Sequence, residues 1–243
     1  MFELTSNLAE AYMKEYPGTS LHVEGGGTAE GIKALLNNKT DICTASRNLK
    51  PEEAKLLADY YGSLGLVFLI AKDGLSIYVN PSNHVKDFNL QQLKDIYTGK
   101  KNNWRALGGK DTSITTVTRN PNSGTYFYFK EHVMEDENYS SSAIVAATTK
   151  EIVNFVSKNT NAIAIGYGGM GYKENIFHAK INGIEPNEEN VRNDTYPITR
   201  YLHFFTTKSP GGVVKNFIDW VLSPAGQNVV RKSGYIPLWE NNL

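Results

Sequence analysis

Short β-like segments alternate with amphipathic helical segments along most of this chain, and that alternation limits the folds available to it. TDICTAS (40–46) and SITTVTR (113–119) are short and rich in residues typical of strands. KPEEAKLLADYYG (50–62) and TTKEIVNFVSKN (148–159) carry apolar residues at helical spacing. Strands that alternate with helices predict an α/β fold with mostly parallel sheets.

Two further segments carry β-like patterns. SLHVEG (20–25) alternates apolar and polar residues, which predicts a short strand. LGLVFLIAKDGLSIYVN (64–80) contains two β-rich pieces around Lys72–Gly74. Extended segments at 74–80 and 197–206 are the expected crossings if the chain forms two domains.

Composition excludes some classes of protein. The chain has 243 residues, of which 40% are hydrophobic, enough for one large or two small domains. Its formal net charge is zero, whereas a sequence-independent nucleic-acid binder normally has a basic excess. Apolar runs fall short of the ~20 residues that span a bilayer, and the sequence shows no signal peptide. With one cysteine, Cys43, no intramolecular disulfide can form.

Three turns rich in hydrogen-bond donors are the strongest functional signal. They lie in VEGGGTAEGIKALL (23–36), ASRNLKPEE (45–53) and TRNPNSGTYFYF (118–129), each at a strand end or a helix start. A helix N-terminus has unpaired N–H groups and a partial positive charge, and glycine lets an anion approach them closely. Hydroxyl and guanidinium groups add donors. The donor residues of the three turns, which suit a small tetrahedral oxyanion, are Thr28, Ser46, Arg47, Arg119, Ser123, Gly124 and Thr125. The ordinary alternative is that Thr28 and Ser123 are helix N-caps and that the arginines pair with acids or face solvent.

Other motifs do not support a catalytic, metal or cofactor site. GYGGMG (166–171) has the glycine spacing of a dinucleotide-binding loop, but YKENIFHAKING (172–183) predicts an extended excursion rather than the required helix. The five histidines lack metal-ligand spacing, and Ser123 lies outside a G-x-S-x-G motif. We therefore expect a protein that is not an enzyme and needs no cofactor or metal.

The sequence resembles the substrate-binding proteins of bacterial phosphate ABC transporters, in their short-chain branch. The matching segments cover most of the chain in the same order. They are EGGGTAEGIKALLNNKTDICTASRNLKPEE, DGLSIYVNPSN, LQQLKDIYTGKKNNWRALGG, ITTVTRNPNSGTYFYFKEHVM, AIAIGYGGMGY, YPITRYLHFFT and FIDWVLSPAGQNVVRKSGYIPL. The family pattern also has a strand and a Ser/Thr-rich anion-binding turn before the first helix, whereas this sequence starts at that helix.

The resemblance implies a two-lobed periplasmic-binding-protein-like (type II) fold with a hinge between the lobes. One lobe would combine residues 1–76 and 200–243, and the other would span 77–199. It also implies non-enzymatic binding of inorganic phosphate in the cleft between the lobes, for uptake through an ABC transporter permease. The implied protein is extracytoplasmic, either periplasmic or a membrane-anchored lipoprotein, and is a monomer without nucleic-acid partners. The ligand-binding residues carried over from the family pattern are Gly27, Thr28, Ser46, Arg47, Arg119, Ser123, Gly124 and Thr125.

Three alternatives stay open on the sequence. The turns do not identify a carboxylate that could accept the proton of phosphate, so sulfate or another oxyanion is an alternative ligand. A signalling or adhesive module could keep the fold without transport. A phosphate-ester enzyme could use the same anion-binding turns, but it would need a general base or a metal cluster.

Overall fold

The computed structural model describes residues 1–159, 161 and 163–239. The α-helices are α1 Phe2–Glu15, α2 Thr28–Leu36, α3 Pro51–Tyr61, α4 Leu90–Tyr97, α5 Gly124–His132, α6 Thr149–Lys158, α7 Glu188–Arg192, α8 Gly212–Leu222 and α9 Pro224–Lys232, with a 3-10 helix at Trp104–Leu107. The strands are β1 Cys43–Ala45, β2 Leu66–Val79, β3 Asp87–Phe88, β4 Thr115–Arg119, β5 Ile144–Ala146, β6 Ala164–Gly169, β7 Phe177–Ile181 and β8 Thr199–Thr206. The predicted α/β class is therefore confirmed.

The chain forms two compact units. The first comprises Met1–Lys72, Asn122–Gly124 and residues 201–239. Its strands lie in the order β1–β8–β2, and β1 pairs antiparallel with β8, Cys43 opposite Phe205. Helices α1, α8 and α9 bury apolar side chains such as Leu8, Phe217 and Val230 against this sheet. A second cluster packs α2 on β1, which fixes the position of the helix that follows the glycine turn.

The second unit comprises Asp73–Pro121 and Thr125–Arg200. Its strands lie in the order β2–β6–β4–β5, and β7 also pairs with β2. The core of this unit forms where α6 packs on the sheet through Ile152, Val153 and Val156, against Tyr78 and Val117. This packing sets the ends of β4 and β6 beside the start of α6.

The sheets differ from the mostly parallel arrangement that we expected. β4 pairs parallel with β5 and β6, but β2 pairs antiparallel with β6 and β7, as β8 does with β1. The alternation of strands and helices indicates how elements that are consecutive in the chain are connected. It carries no information on the direction of pairing between strands such as β2 and β6, which lie far apart in the chain.

The segment 64–80 forms one strand, not the two pieces that we expected. β2 runs through Gly74 without a break. A Cβ atom at Gly74 would lie 2.6 Å from Val191 Cγ2 and 3.1 Å from Met170 Sδ. The glycine therefore makes room for neighbouring side chains rather than ending the strand.

The predicted strand at SLHVEG is also wrong, because residues 20–25 are not in a strand. Leu21 and Val23 are half-buried while Ser20, His22 and Glu24 are exposed, so the alternation does reflect one-sided burial. Within the described residues, however, this segment pairs with no other strand. A strand needs a hydrogen-bonded neighbour, which an alternating sequence cannot supply.

The glycines of GYGGMG serve packing. A Cβ atom at Gly166 would lie 2.3 Å from Ile152 Cγ2, and one at Gly168 would lie 2.3 Å from Thr149 Cγ2. Small residues in β6 thus let α6 lie directly on the strand. The motif is followed by β7 rather than by the helix that a dinucleotide site requires.

Two sequence predictions extend beyond the described part of the chain. The predicted lobe of residues 1–76 and 200–243 includes 240–243, and the predicted strand AIAIGYG starts at Ala162; these positions lie outside the described residues. Among the residues that are described, no helix has the length and apolar character needed to cross a bilayer.

Candidate functional site

The glycine turn of the first unit brings the start of α2 against the segment Asn122–Gly124. Gly27 has φ 93°, a conformation that L side chains rarely adopt. A Cβ atom on Gly27 would also lie 2.6 Å from the carbonyl oxygen of Asn122. The backbone N–H of Ala29 donates to the same carbonyl at 3.3 Å. Glycine is therefore required here for both its backbone angle and its lack of a side chain.

Two hydroxyl groups meet the backbone at Gly124. A Cβ atom on Gly124 would lie 2.4 Å from Thr28 Oγ1 and 2.5 Å from Ser46 Oγ. The backbone N–H of Ser46 donates to Thr28 Oγ1 at 3.2 Å. Thr28, Ser46 and Ser123 are all buried. Gly124 is the first residue of α5, so the hydroxyls of Thr28 and Ser46 lie at the residue where that helix begins.

Thr28 does not have the ordinary capping role that its sequence position allowed. The N-cap of α2 is Gly27, and Thr28 is the first residue of the helix. An oxygen that accepts from the backbone of Ser46 keeps its own hydroxyl proton for another acceptor. Thr28 is thus placed as a donor at the positive end of α2.

Arg47 forms a two-pronged ion pair with Glu53. Its two terminal nitrogens donate to the two carboxylate oxygens at 2.8 and 2.7 Å, and one also donates to the Asn48 carbonyl. Burial acts to raise the pKa of Glu53, but the hydrogen bonds from Arg47 and from the Lys50 backbone outweigh it, so this pKa is lowered. The ionised Glu53 offsets the charge of Arg47. Arg47 therefore pairs with an acid, which was the ordinary alternative for the arginines of the donor turns.

Arg119 is anchored at the end of β4 in the second unit. Its terminal nitrogens donate to Thr149 Oγ1 and to the Ala147 carbonyl, both at 2.9 Å. Its Nε atom is buried and has no hydrogen-bond partner among the described residues. Burial is the main factor that lowers the pKa of Arg119. The anchored side chain keeps one N–H donor for a further acceptor.

Thr125 contacts another arginine of the same unit, and this arginine is buried. Arg200, in β8, donates from one terminal nitrogen to Thr125 Oγ1 at 3.0 Å. Its Nε and its other terminal nitrogen donate to Asp73 Oδ2 at 3.0 and 2.8 Å. Asp73 is completely buried, and Thr125 and Arg200 are buried as well.

The predicted site residues therefore fall into two groups. The first unit gathers Gly27, Thr28, Ser46, Ser123 and Gly124 around one point, with Arg47 next in the chain but paired with Glu53. The second unit holds Arg119 and Thr125, each bonded to a different partner.

Sequence reasoning missed Glu53, Asp73, Thr149 and Arg200. A signal for two of them was present, because Asp73 and Arg200 are the charged residues within DGLSIY and ITRYLHFF, which otherwise read as buried strands. Opposite charges inside two such strands predict an ion pair. Thr149 and Glu53 gave no comparable signal, since hydroxyl and acidic residues are common in the first turn of a helix.

The described residues include no group of three or more His, Cys, Asp or Glu side chains that could hold a metal ion. The chemistry that the described geometry offers is donation of N–H and O–H groups, together with guanidinium charge. Such an arrangement can bind an oxyanion.

Comparisons with known proteins place this chain among binding proteins. A model of the PBP superfamily domain matches residues 1–225. The phosphate-binding protein PstS of Pseudomonas aeruginosa is 31% identical over 253 residues, which cover 95% of this chain and 78% of that protein. A Clostridium perfringens protein with bound phosphate, assigned to the substrate-binding proteins of phosphate ABC transporters, is 33% identical with a TM-score of 0.88, over 98% of this chain and 96% of that one. An ABC-type phosphate transport receptor from Vibrio cholerae is 29% identical with a TM-score of 0.80, over 96% and 95% of the two chains. The resemblance found in the sequence is confirmed.

Proposed function

This chain belongs to the PBP superfamily, and from that premise we propose that it binds inorganic phosphate for uptake through an ABC transporter, without catalysing a reaction. The observation that carries the proposal is the meeting of Thr28 and Ser46 at Gly124. Three glycine or hydroxyl positions that lie 18 to 96 residues apart in the chain come together there, around the N-terminal end of α5. A helix N-terminus with added hydroxyl donors is a general solution for binding phosphate.

Arg119 in the second unit is a positively charged candidate for binding an oxyanion. Arg119 is held by Thr149 and Ala147, and its Nε–H is buried. A guanidinium that is already oriented loses little conformational entropy when it binds an oxyanion. We propose that Gly27, Thr28, Ser46, Arg47, Arg119, Ser123, Gly124 and Thr125 are the ligand-binding residues, and that Arg47 contributes through its pair with Glu53 rather than as an unbalanced charge.

The finer statements rest on the family resemblance. We propose that residues 1–76 with 200–243 and residues 77–199 act as the two lobes of the binding protein. We further propose an ABC transporter permease as partner, an extracytoplasmic location and a monomeric state. Size-exclusion chromatography with light scattering would test the last of these, and a mass near twice 27.0 kDa would contradict it.

Isothermal titration of the whole chain with phosphate and with sulfate tests the function. We expect saturable binding of phosphate near one site per chain, and a thermal unfolding midpoint that rises with phosphate concentration because the ligand binds the folded state. Thr28→Val keeps the side-chain shape but removes a hydroxyl at the proposed site, so it should weaken phosphate binding about tenfold or more. Thr40→Val is a matched control, because the Thr40 hydroxyl donates to the carbonyl of Ile42, two residues away and outside the predicted donor residues. A folded chain that binds neither anion would contradict the proposal.

Sulfate is the second candidate ligand. Two carboxylates are engaged by arginines of the predicted region: Glu53 by Arg47 and Asp73 by Arg200. A site without a carboxylate that accepts the proton of phosphate loses its preference for phosphate over sulfate. Sulfate affinity within about threefold of the phosphate affinity would favour a general oxyanion binder.

A further inference from the structure

A buried ion pair in the second unit lies outside all three donor turns. Asp73 belongs to β2 and Arg200 to β8, and the carboxylate is fully shielded from solvent. Buried ion pairs are costly to desolvate, and apolar residues of similar size often stabilise a fold as well or better. The presence of this pair therefore calls for a role beyond stability.

The pair has a contact with a proposed ligand-binding residue. The Arg200 guanidinium uses two nitrogens to bond Asp73 Oδ2 and a third to bond Thr125 Oγ1 at 3.0 Å. The ring of Tyr128 lies beside the guanidinium, 5.6 Å from its central carbon. The Arg200 guanidinium is planar and is held by both Asp73 and the Tyr128 ring, so it has little freedom to change its orientation.

The direction of the Arg200–Thr125 hydrogen bond has a chemical consequence. A guanidinium has only donors, so Thr125 Oγ1 must be the acceptor in this bond. The hydroxyl proton of Thr125 then points away from Arg200 and can be donated only to a different group. An arginine at this position thus makes the threonine a donor, which is the role that an oxyanion requires.

Arg200 also acts on the second positive charge of the unit. Burial lowers the pKa of the Arg119 guanidinium, and the charge of Arg200 lowers it further. Asp73 offsets the charge of Arg200 through direct contact. The carboxylate of Asp73 therefore reduces the net positive charge that accompanies these two guanidiniums.

We propose that Arg200, oriented by Asp73, is a positioning residue of the anion site that fixes the Thr125 hydroxyl as a hydrogen-bond donor. The proposal rests on the phosphate-binding function proposed above. It assigns roles to two residues outside the donor turns and predicts that Arg200 acts through Thr125.

A double-mutant cycle with phosphate titrations of the whole chain tests this coupling. Thr125→Val should weaken phosphate binding about tenfold or more, since hydrogen bonds to charged groups are strong. Arg200→Gln should weaken it by a similar factor. The double variant should bind within about threefold of Thr125→Val alone, because Arg200 has no hydroxyl left to orient. In Thr125→Ser, which keeps the hydroxyl, Arg200→Gln should again have its full effect.

Controls separate positioning from folding. Arg200→Gln leaves the buried Asp73 without its partner, so Asp73→Asn with Arg200→Gln is a second variant, which removes both charges and should show the same loss of affinity in a folded chain. Arg192→Gln removes an arginine of the same unit that pairs with Glu188 at the surface, and it should leave the affinity unchanged. Circular dichroism and thermal unfolding verify that each variant is folded.

The outcomes are distinct. Losses that multiply in the double variant, or a folded Asp73→Asn/Arg200→Gln chain that binds phosphate like the wild type, would overturn the positioning role. If the unmodified chain binds no phosphate, the proposed function fails, and this inference fails with it for that separate reason.

Discussion

Gly124 and Thr28 are in direct contact in the first unit: a Cβ atom added to Gly124 would lie 2.4 Å from Thr28 Oγ1. The two residues are 96 positions apart in the chain, and the contact also involves Ser46, whose hydroxyl would lie 2.5 Å from the same Cβ atom. Close approach of backbone and hydroxyls concentrates donors at one point. A side chain at position 124 would therefore displace these hydroxyls, and we expect this to lower the proposed phosphate affinity.

Gly124→Ala should lower both stability and phosphate affinity. The new methyl group must push Thr28 and Ser46 away or shift the start of α5, and overpacking of this kind costs about 1–3 kcal/mol of unfolding free energy. Urea unfolding and phosphate titration measure the two effects. Gly18→Ala is the matched control, because a Cβ atom there would meet no atom within 4 Å. Equal phosphate affinities of Gly124→Ala and the wild type would show that these hydroxyls do not contact the ligand.

Glu53→Gln should destabilise the first unit in a pH-dependent way. The pKa of Glu53 is lowered, so the Arg47–Glu53 pair stabilises the fold fully at pH values above 4.5, the ordinary glutamate pKa. This contribution is lost as the pH falls through the lowered pKa. At pH 7 the variant should lose about 1–3 kcal/mol of unfolding free energy. The difference from wild type should shrink below pH 4.5. Glu52→Gln, in the same helical turn but exposed, is the control; a pH-independent difference would contradict the prediction.

Thr149→Val should weaken phosphate binding by loosening Arg119. Valine keeps the methyl group of threonine but cannot accept the hydrogen bond that Arg119 donates to Thr149 Oγ1. Loss of one such bond corresponds to about a threefold to tenfold weaker affinity. Titration of Thr149→Ser, which keeps the hydroxyl, should give the wild-type affinity. If serine fails to restore binding, the effect of valine arises from packing rather than from the orientation of Arg119.

Gly166→Ala should reduce stability without changing phosphate affinity. A Cβ atom there would lie 2.3 Å from Ile152 Cγ2 and 3.3 Å from Val156 Cγ2, so α6 would have to move off β6 at a cost of about 1–3 kcal/mol. Thermal unfolding and phosphate titration of the folded variant test this. A thermal shift of the wild type with NAD would instead revive the dinucleotide interpretation of GYGGMG.

Much of the local structure was predictable from short-range signals. Asn89 and Thr148 accept backbone hydrogen bonds in the first turns of α4 and α6, as capping residues do in isolated helices. Pro51 begins α3 because proline suits the first helical position. The sequence failed at SLHVEG and at Gly74, where the outcome depends on whether a neighbouring strand or side chain is present.

The predicted site illustrates the same division. Residue types and turn positions were enough to predict Thr28, Ser46 and Gly124 as candidate donors or donor-exposing positions, which remains a prediction. They could not show that Arg47 pairs with Glu53 or that Thr125 accepts from Arg200. Those contacts depend on rotamers and on partners that lie up to 75 residues away.

The sequence by itself determined the α/β class and the positions of many helices, because these depend on neighbours a few residues away along the chain. Only the tertiary structure decided the direction of strand pairing, the continuity of β2 and the partner of each arginine. These are set by packing and by the requirement that buried charges be paired, and both depend on residues that are brought together by folding rather than by their order in the sequence.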